Sequence, residues 1–501
     1  MGYKPTIGLE IHIELETNSK MFCSCKNDPD ETQPNTNVCS ICMGHPGTLP
    51  VINKEAVYKV IKTAQALNCQ VQERTFFERK NYFYPDLPKG YQISQYAAPI
   101  GKNGYLEISG KKIRIERIHL EEDTGKLIHP EGMDFSLVDF NRAGIPLMEL
   151  VTEPDIESAK EAREFARQLQ LILRYLEVSQ ANMEKGQMRV EVNISLRKTE
   201  HQSLNVKSGL GTKVEIKNLN SLRAVEKAIE YEIKRQSEIL AKGQKIIQET
   251  RGWDEKKEIT SSQRRKEEAH DYRYFPEPDL PPLKFDKEFL EKIKAKIPEL
   301  PQQRRERFQR EYQLSEKEIE LYIYQKELGE FFEKVMSELR NWIKEKRFQD
   351  RLKESEFKNL AKITSNYIAS DLQGLLAGKL VSSPDFKITP ENFAEFCSMI
   401  YLKEISSKIA KTLLVEMFRT GKDPSQIIEE KELKQITDSQ ELEKIIKEVM
   451  EKNPQPVDDY RKGKEAALQF LVGQVMKETK GKASPEIANK ILKKLLETRS
   501  L

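Results

Sequence analysis

Three runs of side chains in this 501-residue sequence have types and spacings suited to chemistry. The first is GLEIHIELE, residues 8–16. Strand alternation puts Ile7, Leu9, Ile11, Ile13 and Leu15 on one face and Glu10, His12, Glu14 and Glu16 on the other. Carboxylates crowded on one strand face repel unless water or a cation lies among them, so that face is either solvated or metal-binding. The second run, RIHLEEDTGK, sets Glu121, Glu122 and Asp123 together at a strand end before the Thr124-Gly125 turn. Alone it reads as a solvated acidic turn. Combined with Glu10 and His12 it makes an oxygen-rich site with one imidazole, the donor set from which Mg²⁺ bridges to substrate phosphates. The third run is cysteine. Cys23 and Cys25 are followed, after KNDPDETQPNTNV, by Cys39 and Cys42. Two close pairs around a turn-rich loop suit a closed, structural Zn²⁺ site with four thiolates. The C-x-C form of the first pair leaves free reduced thiols or a redox pair as the alternative. Cys69 and Cys397 sit in apolar helical settings and read as core.

Other polar segments suit a nucleotide cavity. ERKNYFYPDLPKGYQISQ, residues 78–95, sets Lys80 beside Tyr82 and Tyr84, where rings can stack on bases and the ammonium can meet phosphate. VDFNRAGIPLME carries Asn141-Arg142 before a Gly-Ile-Pro turn. MRVEVNISL turns Arg189, Glu191, Asn193 and Ser195 to one side of a strand. Each of these, taken singly, also reads as a solvated face or an ordinary loop. There is no G-x-x-x-x-G-K-[ST] phosphate loop, no complete dinucleotide fingerprint and no G-x-S-x-G elbow. No serine or cysteine reads as the activated nucleophile of a glutaminase.

The elements that must hold these groups indicate an α+β fold. Strand alternation recurs at 7–15, 113–120, 188–196 and 213–217. Helical periodicity of 3.6 runs over 155–178, with Asp155 as the expected N-cap, and again from about Leu222 to Ala241. YRYFPEPDLPPL interrupts regular structure, and beyond it the pattern is almost entirely helical. The last two helices flank GKASPE. We therefore expect a catalytic domain with a cysteine-bearing insert at 1–290, a helical domain at 291–400 and a helical tail at 401–501.

The 83 basic and 80 acidic residues nearly cancel, for a net charge of +3, which argues against a protein that merely coats nucleic acid. No apolar run reaches 18 residues and the first residues form no signal peptide, so the expected location is cytoplasmic, with no membrane partner.

IGLEIHIEL, NTNVCSICMGHPGTLPVIN, RKNYFYPDLPKGYQISQ, HLEEDTGK, VDFNRAGIPLMELVTEPD, VEIKNLNS and DYRYFPEPDLPP follow one another in this order. Together they resemble the family of aspartyl/glutamyl-tRNA(Asn/Gln) amidotransferase B subunits, along essentially the whole chain. The resemblance implies an N-terminal curved antiparallel sheet of the glutamine synthetase/guanido kinase type. It implies use of ATP and Mg²⁺ to phosphorylate the side-chain carboxylate of Glu-tRNA(Gln) or Asp-tRNA(Asn). Ammonia would come from a partner amidase, with a small third protein completing a heterotrimer. Carried over by motif, Glu10, His12, Glu121 and Glu122 become the magnesium and phosphoryl-transfer site. Outside that carry-over, residue type makes Lys80, Arg142 and Arg189 candidates for neutralising phosphate, with Tyr82, Tyr84 and Asn141 as further nucleotide contacts. The tail resembles the family's tRNA-binding part, with Lys464, Lys477, Lys480 and Lys482 as phosphate contacts. Zinc would be structural. Two other classes stay open: a stand-alone ATP-dependent carboxylate–amine ligase, and a non-catalytic RNA-binding scaffold.

Overall fold

The computed structural model describes residues 2–198, 211–265, 271–347, 353–431, 439–479 and 482–497. The chain divides into two compact units, Met1–Pro301 and Gln302–Leu501.

The first unit is built on a nine-stranded sheet whose central strand is Tyr3–Glu14. Its neighbours are Pro146–Thr152 on one side and Met188–Lys198 on the other, both antiparallel. Lys111–Glu122 and Gly101–Ile108 continue one side, and Gln70–Val71 ends it. Val214–Leu219, Glu249–Asp254 and Ile259–Arg265 continue the other. The expected antiparallel sheet holds one exception, since Val214–Leu219 and Glu249–Asp254 run parallel. Helix Leu222–Ala241 lies between these two strands in the sequence and supplies the crossover that a parallel pair requires.

One face of the sheet is apolar. Ile7, Leu9, Ile11 and Ile13 pack with Ile118, Leu150, Val190 and Val192 beneath helices Lys54–Ala66, Ala159–Tyr175 and Leu222–Ala241. The other face carries the polar set. The second of these helices begins later than its periodicity indicates. Ser158 is the N-cap, accepting from the Glu161 N–H, while Asp155 is held by the Arg114 guanidinium. A small sheet of Phe275–Pro276, Glu78–Asn81 and Tyr91–Ser94 joins the start of the proline-rich segment to the segment of residues 78–95.

The second unit has helices and no strand among its described residues. Its last four helices, Ser439–Lys452, Pro454–Arg461, Ala466–Glu478 and Pro485–Glu497, close a core of their own around Leu442, Ile446, Leu471, Val475 and Leu492. Among the described residues no helix is long and apolar enough to cross a membrane.

Candidate active site

The register of the sheet assembles the polar face. His12 pairs across strands with Arg189 on one side and Glu149 on the other, and Glu149 in turn pairs with His119. Directly opposed residues on adjacent strands hold their side chains in contact distance. The His12 Nε2 lies 3.5 Å from Glu149 Oε2 and 3.5 Å from Glu121 Oε1. The His119 Nε2 lies 3.4 Å from Glu149 Oε2 and 3.8 Å from Glu121 Oε2. Two imidazoles and two carboxylates thus alternate around one point, with Glu10 beside them on the central strand.

This group lines a cavity of about 740 Å³. On one wall Lys217 reaches Glu191 at 3.0 Å and Glu215 at 3.5 Å. On another, Arg189 donates to Asp123 at 2.5 Å. Lys80 enters from the small sheet, with its Nζ 5.2 Å from the centre of the Tyr272 ring and 5.9 Å from that of Tyr82. Tyr96 and Tyr274 stand at the same side of the cavity.

The electrostatics are those of buried charges that hold one another. Burial is the largest effect on both histidines and favours the neutral ring, yet the surrounding carboxylates outweigh it. His12 is pushed up to about 9, through Glu149 and Glu121, and so is His119. Glu149 goes well below the carboxylate range, because His119 and His12 overcome its burial. Glu10 is different: burial first, then the charges of Glu149 and Glu191, raise it. Glu14 rises to about 8, by burial and the nearby Asp123. Lys80 is raised although burial opposes it, chiefly through Glu121. Donor atoms of Glu10, His12 and Glu149 lie within 4.8 Å of one another, as do those of His119, Glu121 and Glu149. Carboxylate oxygens with imidazole nitrogen, in a cavity roomy enough for water and phosphate, fit a hard divalent cation. Such a cation would also relieve the crowding felt by Glu10.

The second group is the four cysteines, whose Sγ atoms also lie within 4.8 Å of one another. Cys39 and Cys42 have their sulfurs 3.9 Å apart, close to the roughly 3.8 Å edge of a tetrahedron with Zn–S bonds of about 2.3 Å. Cys42 is lowered to about 4, first by the hydrogen bond from Cys23 and then by the Cys39 N–H and the Lys20 ammonium, against burial. Cys23 is raised, chiefly by the same shared bond. The set fits Zn²⁺.

Residues 5–291 match the model of the GatB/GatE catalytic domain, and residues 346–496 match that of the GatB domain. A Thermotoga maritima protein, named as the B subunit of aspartyl/glutamyl-tRNA(Asn/Gln) amidotransferase, is 48% identical, over 99% of this chain and 100% of its own length. The chain belongs to the GatB family. GatB proteins of the same name from Persephonella marina, at 48% identity, and Carboxydothermus hydrogenoformans, at 47%, align over 98% or more of both chains.

Placed on this GatB fold, the sequence expectations separate. Glu10, His12, Glu121, Lys80, Tyr82 and Arg189 all line the cavity. Glu122 does not. Alternation along Lys111–Glu122 turns His119 and Glu121 inward and Glu122 away, into a buried ion pair with Lys89 and a bond from the Ile93 N–H. Asn141 is also removed from nucleotide contact, because its amide is spent on backbone. It accepts from the Thr36 and Asn37 N–H groups and donates to the Gln33 carbonyl, holding the cysteine-bearing loop. Arg142 donates to the Thr124 and Gly125 carbonyls, lies 3.6 Å from Asp123 and lines a smaller, separate recess of about 190 Å³. Tyr84 is exposed and lies outside the cavity. In the tail Lys477 is exposed, Lys464 pairs with Asp459 at 3.0 Å, Lys482 is half-buried, and Lys480 lies outside the described residues.

Sequence reasoning missed His119, Glu149 and Lys217. The period of two that placed His12 with Glu10 also places His119 with Glu121. Glu149 is the one charged residue in the strand PLMELVT.

Proposed function

We propose that this chain is the carboxylate-activating, tRNA-binding component of an ATP-dependent aminoacyl-tRNA amidotransferase. Its substrates would be Glu-tRNA(Gln), Asp-tRNA(Asn) or both. The observation that carries the reading is the meeting of Glu10, His12, Glu121, Glu149 and His119 on the floor of a polar cavity of about 740 Å³.

Phosphoryl transfer to a carboxylate asks a protein for positioning and charge neutralisation. Glu10, Glu121, Glu149 and His12 are the residues that would hold Mg²⁺, and the bound ion would neutralise the transferring phosphate of ATP. Lys80 and Arg189 hold positive charge over the same cavity and orient the phosphates. Asp123 keeps the Arg189 guanidinium aimed by the 2.5 Å hydrogen bond that it accepts. The γ-phosphoryl group passes to the side-chain carboxylate, ADP leaves, and ammonia then displaces phosphate to give the amide. The ammonia comes from a partner amidase, with a small third protein joining the two in a heterotrimer. No glutaminase nucleophile is needed in this chain. The sheet would be of the glutamine synthetase/guanido kinase kind, with one open polar face serving as cradle. The helical tail would bind tRNA, and the four cysteines would hold one structural Zn²⁺.

The test combines the purified chain with its amidase and small partners, ATP, Mg²⁺, ammonium and each mischarged tRNA, and scores the aminoacyl product. Amidated product should form only with ATP and Mg²⁺ and should vanish with Glu149→Gln. Product formed without ATP, or by this chain without tRNA, would sink the proposal.

A further inference from the structure

Beside the metal-binding floor the cavity has a second chemical character. Tyr96 and Tyr274 stack with ring centres 4.7 Å apart and planes 13° from parallel. Tyr272 meets Tyr274 edge-on at 6.2 Å and Tyr82 at 6.0 Å. All four tyrosines line the same cavity as Lys80 and Glu121. Tyr274 covers one face of the Tyr96 ring, yet Tyr96 keeps 60% of its surface exposed. A large ring held half-open at the entrance of a polar cavity has no role in the apolar core.

The ring is also held in place. The buried carboxylate of Glu78 accepts from the N–H groups of both Tyr96 and Ala97, at 2.8 Å each. Asn81 binds the Tyr272 carbonyl through its N–H at 2.9 Å and through its amide at 3.2 Å, and the Arg273 carbonyl at 2.8 Å. Arg273 sits in the left-handed region at φ +45°, which throws Tyr272 and Tyr274 into contact with each other. The segments that flank the three strands of the small sheet therefore present a preorganised aromatic surface, with Lys80 beside it in the same cavity.

We infer that the stacked Tyr96–Tyr274 pair is a platform for the unpaired 3′-terminal nucleobase of the RNA substrate. The inference rests on the proposed activity. A nucleobase stacks on an aromatic face whatever its edge carries, while the neighbouring cation meets its phosphate. Both ATP and the RNA carry an adenine. The open ring favours the RNA, because a polymer must keep its chain running outward from its docked end, whereas a mononucleotide can be enclosed completely. Anchoring the terminal base there would present the esterified amino acid, with its side-chain carboxylate, to the floor of the cavity.

The test uses the complete heterotrimeric enzyme with ammonium as nitrogen donor, comparing Tyr96→Leu and Tyr274→Leu with Tyr96→Phe. Loss of one stacking contact should raise the KM for mischarged tRNA about tenfold, with little change in kcat or in the KM for ATP, while Tyr96→Phe stays near wild type. Binding of uncharged tRNA gives a second readout. Removing the terminal adenosine should weaken wild-type binding and leave Tyr96→Leu binding unchanged, since the same contact is already lost. An unaltered tRNA KM in a folded Tyr96→Leu enzyme overturns the assignment. So does a raised ATP KM alone, which would give the platform to the nucleotide. Failure of the underlying activity would show separately, as a wild-type enzyme that makes no amidated tRNA.

Discussion

Glu149 Oε2 lies 3.5 Å from His12 Nε2, the residue that the strand register sets directly opposite it. The same oxygen is 3.4 Å from His119 Nε2, so one carboxylate bridges imidazoles from the two strands that flank its own. Glu149→Gln keeps the shape and removes the charge. Because the phosphoryl-transfer step depends on charge neutralisation, tRNA-dependent ATP consumption should fall by at least about a hundredfold. Isothermal titration with Mn²⁺ should show weakened metal binding in the same variant. A variant with wild-type turnover would remove Glu149 from the site.

His119 lines the same cavity but is almost fully buried against Glu121 and Glu149, whereas the His12 side chain keeps some exposure. His119→Asn should therefore lower metal affinity by about 10- to 100-fold, the usual effect of losing an outer partner of a ligating group. His12→Ala should abolish turnover outright. Equal loss from both would show that His119 is a ligand in its own right.

Glu122 gives the opposite expectation. Glu122 is 3% exposed, is ion-paired with Lys89 and does not line the cavity. Glu122→Gln leaves a buried ammonium uncompensated, which costs about 3–5 kcal/mol and should lower Tm by several degrees. Mn²⁺ affinity should stay within about twofold of wild type. A large drop in metal affinity with unchanged Tm would reverse this placement.

Elemental analysis should find one zinc per chain. Chelation or Cys39→Ser should lower the thermal midpoint of the first unit, because a closed four-thiolate site contributes folding energy directly. The KM for ATP of the surviving enzyme should change little. Desalted protein free of zinc and equally stable would mean that the four sulfurs serve as ordinary thiols.

Removing residues 439–501 should weaken tRNA binding and flatten its dependence on salt, as phosphate contacts are lost. The four tail helices close their own core, so the truncation removes a folded body and exposes little of the remainder. Filter binding across a salt series gives the measurement, and an unaltered slope would free the tail of this role.

The sequence made the strands plain where one face is apolar and the other polar, as in GLEIHIELE, and the last helices where Leu and Val recur at 3.6. Partners were less legible. Nothing local says that His12 faces Glu149, because that contact spans 137 residues and depends on register. HLEED was open to a stricter reading, since neighbours in a strand point apart and Glu121 and Glu122 therefore cannot share a site. Asn141 looked like a ligand because polar residues beside arginine suit phosphate. Its actual partners are three backbone groups of a loop more than a hundred residues earlier, which no spacing encodes.

The strand at the centre of the sheet is synthesised before either of its neighbours. Its partners arrive only with residues 146–152 and 188–198. At about 5–20 residues per second, a growing chain carries Tyr3–Glu14 with both edges open for roughly 7–30 s. A strand whose alternate residues are Ile7, Leu9, Ile11 and Ile13 is, in that interval, a template for pairing with other chains. The charged row opposite, Glu10, His12 and Glu14, has then a use that precedes any catalysis. In-register pairing of two such strands would set like carboxylates side by side, and that repulsion disfavours the pairing until the strand's own neighbours emerge.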